Sequence, residues 1–302
     1  MTYSYPIEWY CALSHFNRLD DLTAETLINL EVDLKLYNTL MGREVNFRVS
    51  DLSSIYQYHS PEVYIRRTVD PGDDTVLSKI KDERPVLNLA VHNLLPFSRM
   101  LFETLGERLC YVHMVRHPIY MLRQQELNFD RYIGTGLSAK DFSVYSKCAD
   151  SILPYYAIGW SEGYLNSDAL TKSIKFICNY YEQIRTLPFV HSLITIPFEA
   201  FVQSPYEFID NVSSALDITD KGSALFSELK SQNVPRARFS DGQDLEIYRR
   251  CGWRDLRVSS FSEEKQLLLE GVEKLLSFQT WNELMNTMSW YEQAYMCNIN
   301  DD

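Results

Sequence analysis

Two short apolar runs, each leading directly into a helical pattern, constrain the fold of this chain most strongly. Residues 86–91 form the first run and residues 109–115 the second. Apolar runs of this length are typical of parallel strands that are buried on both faces. Helical patterns follow over residues 97–105 and 119–128. The order strand, helix, strand, helix predicts an α/β fold, with a parallel sheet flanked by helices and right-handed crossovers.

Outside this region, apolar residues recur mostly at the three- and four-residue spacing of amphipathic helices. Asp168 starts one predicted helix, and Ser204 is a plausible N-cap of another, in which Pro205 suits the first helical position. The predicted helices cover residues 23–41, 168–185, 204–216, 262–276 and 279–296, and the predicted short strands cover residues 44–49 and 193–196.

The domain organisation follows from what the chain lacks. Its 302 residues contain no internal repeat and no Pro/Gly-rich linker. We therefore predict a single domain over residues 1–302. It would carry an N-terminal helical segment over residues 1–42 and helical C-terminal additions over residues 262–297.

The charge of the chain limits its partners. The formal net charge is −12 and the isoelectric point is near 5.0. A field of this sign repels nucleic acid and anionic lipid, so we expect neither as a partner. A bound phosphate or sulfate would need a local basic pocket, which makes clustered arginines informative.

The predictions of cellular compartment and metal content depend on the absence of membrane-span, signal-peptide and metal-ligand motifs. No stretch approaches 18 uninterrupted apolar residues, and the first residues lack the basic and apolar regions of a signal peptide. The six cysteines are scattered, with no Cys-x-x-Cys pair and no histidine at metal-ligand spacing. We therefore expect a cytoplasmic protein without a membrane span, with reduced cysteines and no metal.

Arg116 is the strongest candidate for binding an anion. It follows the second apolar run directly, and Pro118 stands two residues later. Ligands of open α/β sheets bind at the carboxyl ends of the strands. A guanidinium at such a place can grip a phosphate with two hydrogen bonds. The alternative is that Arg116 pairs with a carboxylate at the edge of the sheet.

Residues 111–122 resemble the second nucleotide-binding motif of the sulfotransferases, in which a hydrophobic strand leads into Arg-x-Pro. The resemblance implies that Arg116 binds the 3′-phosphate of the sulfate donor, 3′-phosphoadenosine 5′-phosphosulfate (PAPS). The family usually has a serine eight residues after this arginine. Gln124 stands there in this chain, and its amide can also donate a hydrogen bond to a phosphate oxygen.

A histidine is the candidate catalytic base. The segment up to Pro96 resembles the strand that delivers the family's Lys-Thr-His sequence, with Ala90 and Val91 replacing the Lys and Thr and with His92 retained. The resemblance implies that His92 accepts the proton of the acceptor hydroxyl, a task that suits imidazole. The alternative is a strand-end histidine that is satisfied by the backbone.

Two later segments agree with the same family in order. Residues 198–205 resemble its late strand-to-helix turn, where Glu199 would order the backbone. A loop that closes over the donor would correspond to a basic stretch, from which Arg236 or Arg238 would contact the nucleotide. The alternative for these arginines is a solvated surface cluster. The other arginines of the stretch are Arg249, Arg250, Arg254 and Arg257.

The largest departure from the family is the absence of its N-terminal phosphate-binding loop. No Gly-rich sequence of that type occurs, and the nearest candidate, residues 49–54, lacks glycine and contains Asp51. The resemblance therefore covers roughly residues 84–260. The chain could start downstream of the true start, be a degenerate relative, or hold the donor with an unusual loop.

The sequence thus predicts a P-loop NTPase-like fold of the sulfotransferase type. The expected function is transfer of a sulfuryl group from PAPS to a hydroxyl or amine of a small molecule or glycan, without a metal. One alternative is a catalytically inactive sulfotransferase-fold protein that acts as a binding or interaction module. A second is another nucleotide-dependent transferase on a parallel sheet.

Overall fold

A computed structural model provides the coordinates of the protein. It describes residues 2–51, 53–58, 60–69, 72, 74–131, 143–148, 150–219, 222–236, 256, 258 and 260–296. The chain forms two compact units, an N-terminal unit over Met1–Leu109 and a C-terminal unit over Cys110–Asp302. The single domain over residues 1–302 stays a prediction.

The N-terminal unit is mainly helical in its described residues. Its helices are α1 (Tyr5–His15), α2 (Asp21–Leu40), α3 (Pro61–Arg67), α4 (Asp74–Glu83) and α5 (Arg99–Leu105). Helices α1, α2 and α5 bury their apolar faces together, including Ile7, Ile28 and Leu101. Strands β1 (Thr2–Tyr3) and β2 (Leu89–Ala90) pair in parallel.

Two strand predictions in this unit are wrong. The predicted strand 86–91 shortens to β2, and Val86 is 58% exposed, because the only partner within the described residues is the two-residue β1. The predicted strand 44–49 is not formed. Asn46 explains this, since its side chain accepts a hydrogen bond from the Arg48 N–H at 2.9 Å and so favours a turn over a ladder.

The C-terminal unit contains the longer strands. Strands β3 (Tyr111–Val115) and β6 (Leu193–Pro197) pair in parallel, and β4 (Tyr145–Cys148) and β5 (Ser151–Pro154) form an antiparallel pair. The helices are α6 (Pro118–Arg131), α7 (Ser161–Asn166), α8 (Ala169–Arg185), α9 (Phe198–Gln203), α10 (Tyr206–Ala215), α11 (Gly222–Ser231), α12 (Phe261–Glu273) and α13 (Phe278–Tyr295).

The core of the C-terminal unit lies between long helices. Helix α8 packs against α6 and α13. Its apolar stripe is buried, with Ile174 and Ile177 excluded from solvent, and Leu122 of α6 and Leu284 of α13 are buried as well. Burying each such side chain contributes about 1.5–3 kcal/mol relative to leaving it exposed. Helices α8 and α13 also contact the residues that follow the two strands, since Tyr181 of α8 bonds the backbone of Arg116 and Tyr291 of α13 bonds Glu199.

The fold class is confirmed at a coarse level. The structure is mixed α and β, with a small parallel two-stranded sheet flanked by helices. The predicted strand–helix–strand unit is not one sheet, because β2 is hydrogen-bonded to β1 while β3 is hydrogen-bonded to β6. The P-loop NTPase-like topology of the sulfotransferases stays a prediction.

The buried His113 of β3 gives the C-terminal unit a pH-dependent stability. Its Nε2 lies 2.9 Å from the hydroxyl oxygen of Tyr180, and burial lowers its pKa from 6.5 to about 4. The folded state therefore binds this proton less readily than the unfolded state does. Stability is complete above pH 6.5 and falls as the pH drops towards 4, by on the order of 3 kcal/mol.

We expect His113→Gln to remove most of the pH dependence of the free energy of unfolding between pH 7 and pH 4. Glutamine does not titrate in this range and can still form a hydrogen bond with the Tyr180 hydroxyl. Urea unfolding at four or five pH values measures it. His191→Gln, at an exposed position in the same unit, should follow the wild-type curve. Parallel curves for His113→Gln and the wild type would contradict the assignment.

Candidate functional site

Arg116 and Phe198 are the first residues after two paired parallel strands and lie at the same end of the sheet. Val115 and Pro197, the last residues of β3 and β6, are register partners in a parallel pair. The next residues, Arg116 and Phe198, therefore both lie at the carboxyl edge of the sheet. The guanidinium carbon of Arg116 is 4.7 Å from the centre of the Phe198 ring. This is the edge at which open α/β sheets bind ligands.

A second guanidinium contacts the same ring. The backbone N–H of Arg236 donates to the Val202 carbonyl at 2.8 Å, and its guanidinium carbon lies 5.2 Å from the centre of the Phe198 ring. We call Arg116 and Arg236 the arginine pair. The negative face of an aromatic ring attracts cations, so Phe198 offsets part of the repulsion between two like charges. The Nε atoms of both arginines are buried.

Two buried carboxylates balance the charge of Arg116. Glu199 and Glu264 are both fully buried, and both interact electrostatically with Arg116. Burial lowers the pKa of the Arg116 guanidinium, and the two carboxylates oppose that shift. Arginine nevertheless stays protonated in proteins. The region therefore contains opposite charges at low dielectric, where each interaction is strong and each unpaired group is costly.

The backbone that carries Arg116 is fixed by two hydrogen-bonding side chains. The Tyr181 hydroxyl donates to the Arg116 carbonyl at 2.5 Å and accepts from the Arg116 N–H at 3.1 Å. Glu199 accepts from the His117 N–H at 2.9 Å and from the Tyr291 hydroxyl at 2.6 Å. Burial raises the pKa of Tyr181 and of Tyr291, so both phenols stay protonated and able to donate.

His117 begins a chain of polar contacts that leads to the surface. The residue is buried, and its Nε2 lies 2.9 Å from Glu292 Oε1, which also accepts from Lys265 Nζ at 2.5 Å. These two hydrogen bonds lower the pKa of Glu292 from 4.5 to about 2. The Glu292 carboxylate therefore stays ionised and couples the turn after β3 to helices α12 and α13.

We expect Glu292→Gln to destabilise the protein in a pH-dependent way. A depressed carboxyl pKa contributes stability above pH 4.5 that is lost as the pH falls from 4.5 towards 2. Because the side chain is about one-third exposed, solvent screening reduces the effect to about 1–2 kcal/mol.

Chemical unfolding at pH 6 and pH 3 tests this, and the difference between wild type and Glu292→Gln should shrink at the lower pH. Glu283→Gln is the matched control on the same helix, since its ion pair with Lys175 is long at 3.7 Å. It should cost no more than about 0.5 kcal/mol at either pH. An equal loss in both variants would contradict the role of the His117 and Lys265 contacts.

Of the other predicted binding residues of this unit, only Gln124 lies within the described part of the chain. Gln124 lies in α6, eight residues after Arg116, and is partly exposed. Arg238 lies outside the described residues, as do Arg249, Arg250, Arg254 and Arg257. The structure thus brings Arg116 and Arg236 together on one ring. The binding roles of Arg116, Gln124, Arg236 and Arg238 stay predictions.

His92, the predicted base, belongs to the N-terminal unit. Half of its side chain is exposed, and its Nδ1 is 3.6 Å from Oε1 of the buried Glu8. The Tyr5 ring stacks on the imidazole, with ring centres 5.7 Å apart and planes 10° apart. The backbone N–H of His92 donates to the same Glu8 oxygen.

Three residues of the C-terminal unit were not assigned to a ligand site from the sequence. Phe198 belongs to a segment that the sequence analysis assigns to a turn, although its place directly after the strand Leu193–Pro197 is a usable signal for a ligand site. Tyr181 is one of two adjacent tyrosines on an amphipathic helix, and Glu264 is 148 positions from Arg116 along the chain. Nothing local in the sequence predicts that these two groups approach Arg116.

Comparison with known proteins leaves the family open. No protein-family model matches the sequence, and searches of curated proteins and of solved structures find no significant match. Among the described residues, no helix combines the length and the apolarity needed to cross a bilayer. Within that same part of the chain, no three His, Cys, Asp or Glu side chains are grouped to hold a metal ion. The absence of a metal stays a prediction.

Proposed function

We propose that the chain is a sulfotransferase-like protein that binds the 3′-phosphate of PAPS at the arginine pair. The observation that supports this most directly is the meeting of Arg116 and Arg236 on Phe198, at the carboxyl edge of a parallel strand pair. In a chain of net charge −12, two guanidinium groups held together form the kind of local basic site that an anionic ligand requires.

The chemistry of the arginine pair suits a phosphate. Each guanidinium carries five N–H donors in a fixed plane, and a contact with a ring face occupies none of those donors. Arg–phosphate pairs are frequently bidentate, which gives direction as well as attraction. The two hydrogen bonds between the Tyr181 hydroxyl and the backbone of Arg116, one donated and one accepted by the hydroxyl, hold the residue in place. Gln124 lies in α6, eight residues after Arg116, and its side-chain amide would donate an N–H to the same phosphate.

The proposed reaction is sulfuryl transfer in line from PAPS to a hydroxyl or amine of a small molecule or glycan. Such a reaction depends on positioning and on electrostatic stabilisation of the transferred group more than on covalent chemistry of the protein. The role of His92, a residue of the N-terminal unit, as the base for the acceptor proton stays a prediction from the resemblance. Arg116 and Arg236, with Arg238 as a further candidate, would hold the donor.

A second candidate function is a non-catalytic module that keeps the fold and binds a partner. The observation that favours it is the position of Glu199 and Glu264, which already balance the charge of Arg116 without a ligand. Ala90 and Val91, at the positions of the family's Lys and Thr, point the same way.

Calorimetry with 3′-phosphoadenosine 5′-phosphate separates these functions. The first proposal expects saturable heat with this nucleotide and at least tenfold weaker binding of adenosine 5′-phosphate, which lacks the 3′-phosphate. Binding without turnover of PAPS on a panel of phenols, amines and sugars would favour the non-catalytic module. Absence of heat with both nucleotides, from a chain shown to be folded by circular dichroism, would end the nucleotide proposal.

A further inference from the structure

The imidazole of His117 is buried beside the arginine pair and forms a hydrogen bond at each ring nitrogen. The residue is 1% exposed, and its Nε2 lies 2.9 Å from Oε1 of Glu292 in α13. The Ile119 N–H donates to Nδ1 at the longer distance of 3.4 Å. Because the Glu292 carboxylate is ionised and can only accept, the ring must donate its Nε2–H to Glu292.

Two tyrosine rings pack against the imidazole. Tyr291 meets it edge to face, with ring centres 5.3 Å apart and planes 80° apart, and the centre of the Tyr120 ring lies 5.2 Å away. Tyr291 also donates its hydroxyl to Glu199 at 2.6 Å, and Glu199 accepts the His117 N–H at 2.9 Å. Helix α13 therefore holds His117 twice, by its backbone through Glu199 and by its side chain through Glu292.

The peptide group between Arg116 and His117 connects this arrangement to the candidate site. Its carbonyl oxygen accepts from the Tyr181 hydroxyl and its N–H donates to Glu199, so both ends of one planar group are bonded. The next residue is Pro118, which begins α6 and restricts the backbone of His117. A shift of His117 therefore tilts this plane and moves the Cα atom of Arg116.

We propose that His117 is a positioning residue of the anion site, which holds Arg116 on Phe198 through its hydrogen bond to Glu292. The proposal rests on the proposed function, since it concerns binding of 3′-phosphoadenosine 5′-phosphate at the arginine pair. Lys265 of α12 bonds the same carboxylate at 2.5 Å, so both C-terminal helices support the bond. Helices α12 and α13 thus contribute to ligand affinity through His117, which itself bonds no ligand.

A merely structural role of His117 would be to cap α6. The residue stands directly before the first residue of the helix, and its Nδ1 accepts from the Ile119 N–H as the side chain of an N-cap does. Two substitutions separate the cap from the bond to Glu292. In His117→Asn the amide oxygen can still cap the helix, but the side chain is too short to reach Glu292. In His117→Gln the amide N–H can replace the Nε2–H, whereas glutamine is not among the preferred N-caps.

Calorimetry of the full chain with 3′-phosphoadenosine 5′-phosphate tests the proposal. We expect binding about tenfold weaker in His117→Asn and within about threefold of the wild type in His117→Gln, because only glutamine keeps the bond to Glu292. Glu283→Gln is the control on the same helix, since its ion pair with Lys175 is long at 3.7 Å, and it should bind within about twofold of the wild type. A role as cap alone predicts the reverse order of the two His117 variants. The reverse order, or equal affinities, would overturn the proposal.

Glu292→Ala removes the same hydrogen bond from the other side and leaves the cap of α6 in place. It should weaken nucleotide binding about tenfold in the wild type and by less than about twofold in His117→Asn, where the bond is already lost. Equal effects in the two backgrounds would contradict the proposal. If circular dichroism shows that the His117 variants do not fold, Glu292→Ala alone decides, and wild-type affinity in that variant would overturn the proposal.

Nitrogen NMR with ¹⁵N-labelled histidine separates a failure of this proposal from a failure of the proposed function. A buried Nε2–H that is bonded to a carboxylate should exchange slowly with water, and loss of its signal in His117→Asn assigns it among the six histidines. At pH 7 we expect the signal in the wild type and in Glu283→Gln, and its loss in Glu292→Ala. Its absence from the wild type would overturn the role of His117. A wild type that shows the signal but binds no nucleotide would overturn the proposed function, while the bond between His117 and Glu292 would stand.

Discussion

Glu199→Ala is expected to lower the free energy of unfolding by about 3–5 kcal/mol, the range for breaking a buried ion pair by removing one partner. The carboxylate is fully buried and accepts hydrogen bonds from the His117 N–H at 2.9 Å and the Tyr291 hydroxyl at 2.6 Å. It also offsets the buried charge of Arg116. Alanine would leave two donors unsatisfied and one guanidinium with a single carboxylate near it.

Urea unfolding at pH 7 measures this loss, and two variants calibrate it. Tyr291→Phe removes one of the two hydrogen bonds and keeps the charge, so it should cost about 1–2 kcal/mol. Glu207→Ala removes an exposed acidic residue from the first turn of α10, and it should cost about 0.5 kcal/mol or less. A loss below about 1 kcal/mol in Glu199→Ala would mean that the arginine pair does not depend on this carboxylate.

The helices of this protein were largely predictable because their signals are local. The helix predicted to start at Asp168 illustrates this, since α8 begins one residue later and the Asp168 side chain caps it by accepting from the Thr171 N–H at 2.7 Å. The predicted cap at Ser204 is wrong, because α10 begins after Pro205 without a side-chain cap. Amphipathic spacing needs only the residues within a helix, so errors of this kind stay within one or two positions.

The strands were less predictable because a strand depends on its partner. The apolar runs 86–91 and 109–115 are alike in sequence, yet the first forms two paired residues and the second five. The difference lies in the partners, since β1 is short and β6 matches β3 in length. The local pattern of apolar residues does not show which segment, about 80 residues away, will pair with a strand or how long that segment is.

The candidate site was predictable only for residues that follow an element directly. Arg116 could be selected because it ends a strand. Phe198 could be selected by the same rule but was not, and Glu264 could not, because it reaches Arg116 from a distant helix. A local sequence pattern thus identifies charges at strand ends, whereas the groups that balance those charges depend on the packing of the whole unit.

Arg116→Ala is expected to weaken binding of 3′-phosphoadenosine 5′-phosphate at least ~100-fold. Charge-assisted hydrogen bonds contribute about 1.5–3 kcal/mol each, and every 1.4 kcal/mol is a factor of ten. Because alanine would also leave Glu199 and Glu264 less well balanced, Arg116→Lys is the companion variant. Lysine keeps the charge but loses the planar fork and the stacked contact with Phe198, so we expect binding about tenfold weaker.

The control for both variants is Arg185→Lys. The Arg185 guanidinium lies 4.3 Å from the centre of the Trp290 ring and 3.1 Å from Glu182, so it makes the same kinds of contact as Arg116 without standing at the sheet edge. Its replacement should leave calorimetric binding within about twofold of the wild type. Wild-type affinity in a folded Arg116→Lys protein would assign Arg116 to the buried charge cluster alone. Binding that is about tenfold weaker in Arg116→Lys and unchanged in Arg185→Lys would support a 3′-phosphate at the edge shared by β3 and β6, because both variants lose a guanidinium fork but only Arg116 stands at that edge.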